Sequence, residues 1–259
     1  MAAAPLVLVH GNPETPAVWD PLMGVLDRTD AFRLSPPGFG APLPASFDAT
    51  TTGYRDWLVT CLESFTEPVD LVGHDWGGLH VLNVAMTRPD LLRSWVSDAA
   101  GVYDPGYSWH PLAQVWQRPV EGEAWVQAAF TAPLHQRVDA MRELLGADES
   151  GAPEAGRTAK RLAAGQDEQM GRAVLSLYRS AAQPTMARAG RAMAAAAARP
   201  GLVIDATEDA TTGSAEARAR MAAAAGASTA HLKGLGHWWM VQDPRQAAGA
   251  LTRFWTSLP

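Results

Sequence analysis

Six short apolar runs recur along the chain, with helix-like stretches between them. They are Leu6–Val9, Phe32–Leu34, Val69–Val72, Ser94–Val96, Leu202–Ile204 and Thr229–Leu232. Short apolar runs without strict alternation read as parallel strands buried on both faces. Between them, Tyr54, Trp57, Leu58, Cys61, Leu62 and Phe65 fall on one face of a helix at 3.6-residue spacing. Asp243-Pro244 predicts a helix start, with Asp as cap and Pro in the first turn, and Leu251, Phe254 and Trp255 give that helix an apolar stripe. Strands alternating with helices imply a doubly wound, parallel α/β sheet.

One interval breaks the alternation. From about Gly101 to Arg199 there is no convincing strand. It holds helical patterns, a polar loop at Gly146–Gly156 and an Ala-rich stretch, Ala187–Ala198, that predicts a helix. The expected division is a core made of residues 1–100 and 200–259, with residues 101–199 inserted as a helical cap. Such a cap would cover the C-terminal edge of the sheet, where ligands bind in open α/β folds.

With 259 residues, 47% of them apolar, the chain can bury the core of one such domain. Its net charge of −6 argues weakly against nucleic acid or an anionic membrane as partner. Cys61 is the single cysteine, so no internal disulfide forms; its place on the apolar helix face predicts a buried small hydrophobe. The first apolar run is too short for a signal peptide or a membrane span, which makes a cytoplasmic location the expectation.

The chemistry concentrates in Gly73-His74-Asp75-Trp76-Gly77-Gly78, between the third apolar run and a helical one. Strand, sharp Gly-flanked turn and helix is the context of a nucleophile elbow. Small residues at 73 and 77 let strand and helix approach closely around a strained central residue. That residue is Asp75, and no Ser sits in such a context, which argues against a serine esterase. A carboxylate attacks saturated carbon and leaves an alkyl ester on the enzyme; epoxides and alkyl halides are its natural electrophiles.

Three further motifs complete a pattern: His10-Gly11-Asn12-Pro13-Glu14 after the first strand, Pro37-Gly38-Phe39-Gly40 after the second, and Gly236-His237-Trp238 after the last. Along essentially its whole length the chain resembles the capped α/β-hydrolases with an aspartate nucleophile, the epoxide hydrolases and haloalkane dehalogenases. The resemblance implies an α/β-hydrolase fold. It departs from the family in lacking the usual N-terminal hairpin, so a mostly or wholly parallel sheet of about six strands is expected.

The resemblance implies a role for each site residue. Asp75 is the nucleophile, and His237 the base that activates water against the resulting ester. The acid that orients His237 is Asp209, after the fifth strand, or Asp98, after the fourth; the first fits the commoner order of such triads. Backbone N–H groups of Asn12 and Trp76 would form an oxyanion hole. The side chains of this pair would hold halide in a dehalogenase. Tyr178, followed by Arg179, would protonate the leaving oxygen of an epoxide, with His110 as second donor and Tyr103 or Tyr107 as substitutes. His10 and His74 read as structural.

The expected activity is hydrolysis of a neutral apolar epoxide to a vicinal diol. Haloalkane dehalogenation is the alternative, and a non-catalytic ligand binder on the same fold is a third. Trp109, Trp116, Trp125, Met170 and Leu177 suggest an apolar pocket, and Trp76 and Leu79 stand where haloacetate dehalogenases resembling this chain place arginines, so a carboxylate substrate is not expected. No cofactor is implied and no metal-ligand spacing is present. The expected partner is the small-molecule substrate, with neither nucleic acid nor membrane; a homodimer is left open.

Overall fold

The computed structural model describes residues 4–146 and 153–258. Its strands are β1 (Leu6–Val9), β2 (Ala31–Leu34), β3 (Val69–Gly73), β4 (Leu92–Ser97), β5 (Gly201–Ala206) and β6 (Ser228–Leu232). They form one six-stranded sheet in the order β2-β1-β3-β4-β5-β6, with every pairing parallel. This is the α/β-hydrolase architecture, and each of the six apolar runs lies within one strand.

Burial explains why these runs lack alternation. Leu6 and Leu8 enter one hydrophobic cluster, Val7 and Val9 the other, so both faces of β1 are covered. Fully burying each such side chain contributes roughly 1.5–3 kcal/mol. Only the edge strands β2 and β6 keep exposed positions. The helix at Thr51–Leu62 buries Tyr54, Leu58 and Leu62. Cys61 departs from expectation: it is half-buried, on the flank of that stripe. The helix at Pro244–Thr256 is capped by Asp243, whose carboxylate accepts the Gln246 N–H.

After β2 the chain returns to the other side of β1, so the sheet reverses direction between β1 and β3. Val9 pairs with Gly73 there, which brings the loop after β1 against the turn after β3. Open α/β sheets bind ligands at such a switch point.

Between β4 and β5, helices span Pro111–Gln117, Glu121–Phe130, Leu134–Leu144, Pro153–Ala164 and Glu168–Ser180. In the last, Asp167 caps the first turn and Met170, Ala173, Val174, Leu177 and Tyr178 share the buried stripe. That stripe turns Tyr178 inward. Two expectations are corrected. The Ala-rich stretch is a short helix, Thr185–Ala189, running into a 3-10 helix at Gly190–Ala198. It packs against the helix after β3, and the Trp95 indole donates to Ala196 O at 3.1 Å, so it covers the sheet and not the pocket. The polar stretch Gly146–Gly156 includes the start of a helix at Pro153, because proline suits a first turn; residues 147–152 of that loop lie outside the described residues. Among the described residues no helix is long and apolar enough to cross a membrane.

Candidate active site

Asp75 sits between β3 and the helix at Trp76–Thr87 with φ 53° and ψ −121°, a left-handed conformation rare for a residue with a Cβ. Strain of this kind costs on the order of 1–3 kcal/mol and persists only where neighbours enforce it. Here a Cβ on Gly73 would strike the Gly77 backbone, and one on Gly77 would strike the Val9 carbonyl. The His74 N–H donates to Val9 O at 3.0 Å, and the Asp75 N–H donates to Asp98 Oδ1 at 2.9 Å. The turn is clamped on both sides.

The Asp75 carboxylate accepts the Asn12 backbone N–H through Oδ1 at 2.9 Å. Its Oδ2 lies 3.6 Å from His237 Nε2. Gly11 passes so close that a Cβ there would collide with this carboxylate. Burial raises the Asp75 pKa to about 6, against the opposing pull of His237 and His74.

His237 presents Nδ1 to Asp209 Oδ2 at 2.9 Å and to Thr211 Oγ1 at 3.0 Å. Asp209 is itself fixed, accepting the Thr211 N–H at 2.7 Å, the Thr211 hydroxyl at 2.6 Å and the Thr212 hydroxyl at 3.0 Å. Burial disfavours charge on Asp209, but His237 and Thr211 outweigh it and hold the carboxyl far below the usual range. For His237 burial lowers the pKa and Asp209 more than compensates, so it lies above the ordinary value.

The alternative acid, Asp98, belongs elsewhere. Its Oδ2 meets His74 Nδ1 at 2.5 Å and accepts the Trp239 indole N–H at 2.7 Å, while Oδ1 holds the Asp75 N–H. Of the two candidates, Asp209 is the one beside His237. β4 lies beside β3, so Asp98 at its end anchors the elbow through the Asp75 N–H.

Asn12 also departs from the expected side-chain role. Its Nδ2 donates to the Tyr178 hydroxyl at 3.4 Å, and the Trp76 ring packs edge-on against the Tyr178 ring with centroids 5.1 Å apart. One of the two side-chain donors proposed for halide is thus directed at the phenol oxygen. Burial raises the Tyr178 pKa well above its ordinary value, helped by Asp75; Asn12 and Trp76 work against the rise. His110 caps the helix at Pro111, its Nδ1 accepting the Ala113 N–H at 3.2 Å. Burial, with His237 nearby, lowers its pKa to about 4. A neutral His110 whose Nδ1 accepts must carry its proton on Nε2. The ring lies 6.3 Å from that of Tyr178 and borders the same cavity as Asp75. Of the substitute tyrosines, Tyr107 donates to Thr211 O and Tyr103 to Leu79 O, so both protons are engaged.

The cavity has a volume of about 750 Å³. Trp109, Trp116, Trp125, Leu112 and Phe130 form its apolar wall, and Asp75, Tyr178 and His237 its polar end. Met170 and Leu177 are core residues that do not reach it. Sequence reasoning assigned no function to Glu14 or Thr211. Glu14 is fully buried and bonds to His74, Gly11 and Trp238; an acid in an otherwise uncharged loop was the available signal. Among the described residues no group of three or more His, Cys, Asp or Glu side chains could hold a metal ion.

The model of the alpha/beta hydrolase family matches residues 6–250, and the chain belongs to that family. It is 33% identical over 91 residues to (E)-2-((N-methylformamido)methylene)succinate hydrolase of Acinetobacter baylyi, covering 34% of this chain and 35% of that one. It is 29% identical over 153 residues to an epoxide hydrolase of Caballeronia sordidicola, covering 51% of this chain and 45% of the relative. The match therefore spans less than half the length of either relative. A putative epoxide hydrolase from Pseudomonas aeruginosa shares the fold across 99% of this chain and 89% of its own, with a TM-score of 0.76 at 20% identity.

Proposed function

We propose that this hydrolase converts a neutral apolar epoxide to a vicinal diol through an ester on Asp75. Asp75 Oδ2, the oxygen facing His237, attacks an epoxide carbon from the side opposite its C–O bond. That bond breaks, and Tyr178 donates its phenolic proton to the departing oxygen, with His110 Nε2–H as second donor. Water then enters beside His237 Nε2, which takes a proton while the oxygen adds to the Asp75 carboxyl carbon. The Asn12 N–H, already on Oδ1, stabilises the oxyanion. Collapse expels the diol oxygen, which takes the proton from His237, and Asp75 returns as a carboxylate bearing one oxygen from water. Tyr178 regains its proton from solvent.

The observation that carries this reading is the Asn12–Tyr178 hydrogen bond. With Asn12 donating to the phenol oxygen, the phenol's own proton is left to point at substrate. An epoxide needs that proton because its leaving group is an alkoxide. A halide needs N–H donors, and here the Asn12 side-chain donor is engaged by Tyr178. Incubation with panels of styrene oxides, epoxyalkanes and bromoalkanes tests the reading. Diol from the epoxides is expected; no diol together with halide release from the bromoalkanes would establish the dehalogenase instead.

A further inference from the structure

Beneath the nucleophile lies a charged cluster that the proposed reaction does not use. His74 is fully buried between two buried carboxylates, with Nδ1 2.5 Å from Asp98 Oδ2 and Nε2 3.0 Å from Glu14 Oε1. An ionised carboxylate only accepts hydrogen bonds, so a ring bonded through both nitrogens must donate from both. Neither acid has an easy place for the proton instead. Glu14 also accepts the Gly11 N–H at 3.0 Å and the Trp238 indole N–H at 2.6 Å. Asp98 also accepts the Asp75 N–H at 2.9 Å and the Trp239 indole N–H at 2.7 Å. Each carboxylate thus takes three donors, the arrangement of an anion.

The His74 ring centre is 4.6 Å from that of His237. The other ionisable groups facing it are Asp75, next in the chain, and His10, at the end of β1. We propose that His74 is a permanently doubly protonated imidazolium whose fixed charge biases His237 towards the neutral form that a base requires. His237 otherwise sits between Asp209 and Asp75, two carboxylates that both favour its protonated form. A cation whose ring centre lies 4.6 Å from its own offsets them. It also helps keep Asp75 ionised without itself touching substrate, so His74 is a positioning residue acting through its neighbours. The directions of the shifts agree: burial opposes charge on His74, yet Glu14 and Asp98 raise its pKa well above the ordinary value, and Glu14 is held down to about 2.

The proposal rests on His237 as the base, but its test needs no substrate, so its failure and that of the epoxide reading are distinguishable. The probe is the full-length protein labelled with 15N-histidine, followed by two-bond proton–nitrogen correlation between about pH 5 and 9, the range that spans ordinary histidine titration. Both His74 nitrogens are expected to keep protonated shifts throughout. One unprotonated His74 nitrogen at neutral pH would overturn the charge assignment. In His74→Asn the His237 midpoint should rise by about one unit, the size of shift a neighbouring charge produces; an unmoved midpoint would overturn the tuning role. Should that variant not fold, Glu14→Gln serves instead. His74 then keeps one carboxylate and should titrate within the window; a His74 that stays doubly protonated throughout would overturn the claim that its two carboxylates hold the charge.

Discussion

The Asp209 carboxylate lies 2.9 Å from His237 Nδ1 and is pinned by hydroxyls of Thr211 and Thr212. It therefore fixes which imidazole nitrogen is left to face Asp75. Replacing Asp209 by Asn preserves the shape but can stabilise the wrong tautomer. Ester hydrolysis should slow by roughly 10³–10⁴-fold, the scale of the comparable change in other triads. Ester formation should survive, so mass spectrometry after mixing with an epoxide should find substrate mass added to the peptide containing Asp75. Rapid turnover without accumulated ester would count against this role.

Asp98→Asn should behave differently. It breaks a buried pair with His74 and weakens the anchor on the Asp75 N–H. Breaking such a pair costs about 3–5 kcal/mol, a fall in Tm on the order of 10 °C for a chain of this size. Thermal denaturation of the two variants side by side separates an orienting acid from a structural one.

Tyr178→Phe removes the proposed proton donor and leaves the Asn12 side-chain donor free. Epoxide opening should fall by about 10²–10⁴-fold, the usual contribution of general acid catalysis. Bromoalkane turnover, if the protein has any, should be unchanged or rise. Single-turnover kinetics with each substrate reads the contrast.

The pH profile should fall on the acid side. Asp75 reacts ionised, and its pKa near 6 means ester formation is lost as pH drops through about 6. His237 acts neutral, and its raised pKa means ester hydrolysis is also lost as pH drops, from above the ordinary histidine value. Tyr178 must stay protonated and its pKa lies well above 10, so it adds no alkaline limb near neutrality. One pH unit below the Asp75 midpoint, ester formation should be roughly tenfold slower. A rate flat to pH 5 would contradict this assignment.

Gly11→Ala tests the closeness of the β1 loop to the nucleophile. The added Cβ meets the Asp75 carboxylate, so the carboxylate must shift. A displacement of about 1 Å at reacting atoms costs on the order of 10²-fold in rate. Activity should fall by that factor with Tm nearly unchanged.

Much of this was legible in sequence because it is local. The six strands follow from apolar runs, and the elbow follows from Gly73 and Gly77 around Asp75, a turn that backbone sterics alone specify. The order of motifs places Asp75 and His237 at one sheet edge, since every parallel strand presents the same end there. Tyr178 was legible only through the family resemblance, as the tyrosine before Arg179; the buried stripe of its helix then turned it inward. Less legible were the half-burial of Cys61 and the 3-10 turn in the alanine stretch, where neighbouring elements override local preference.

What the tertiary structure alone decided was which side chains meet. Asp98 and Asp209 both end adjacent strands, and only the paths of the loops put the second beside His237 and the first under His74. Asn12 could face a ligand or a neighbour, and the inward face of the Glu168–Ser180 helix brought it the Tyr178 hydroxyl. Besides Gly11 of its own loop, Glu14 acquired its partners from the turns after β3 and β6, His74 and Trp238. Periodicity encodes the face a residue occupies; the choice among equivalent polar partners depends on distances of an ångström or two, set by the packing of the whole chain.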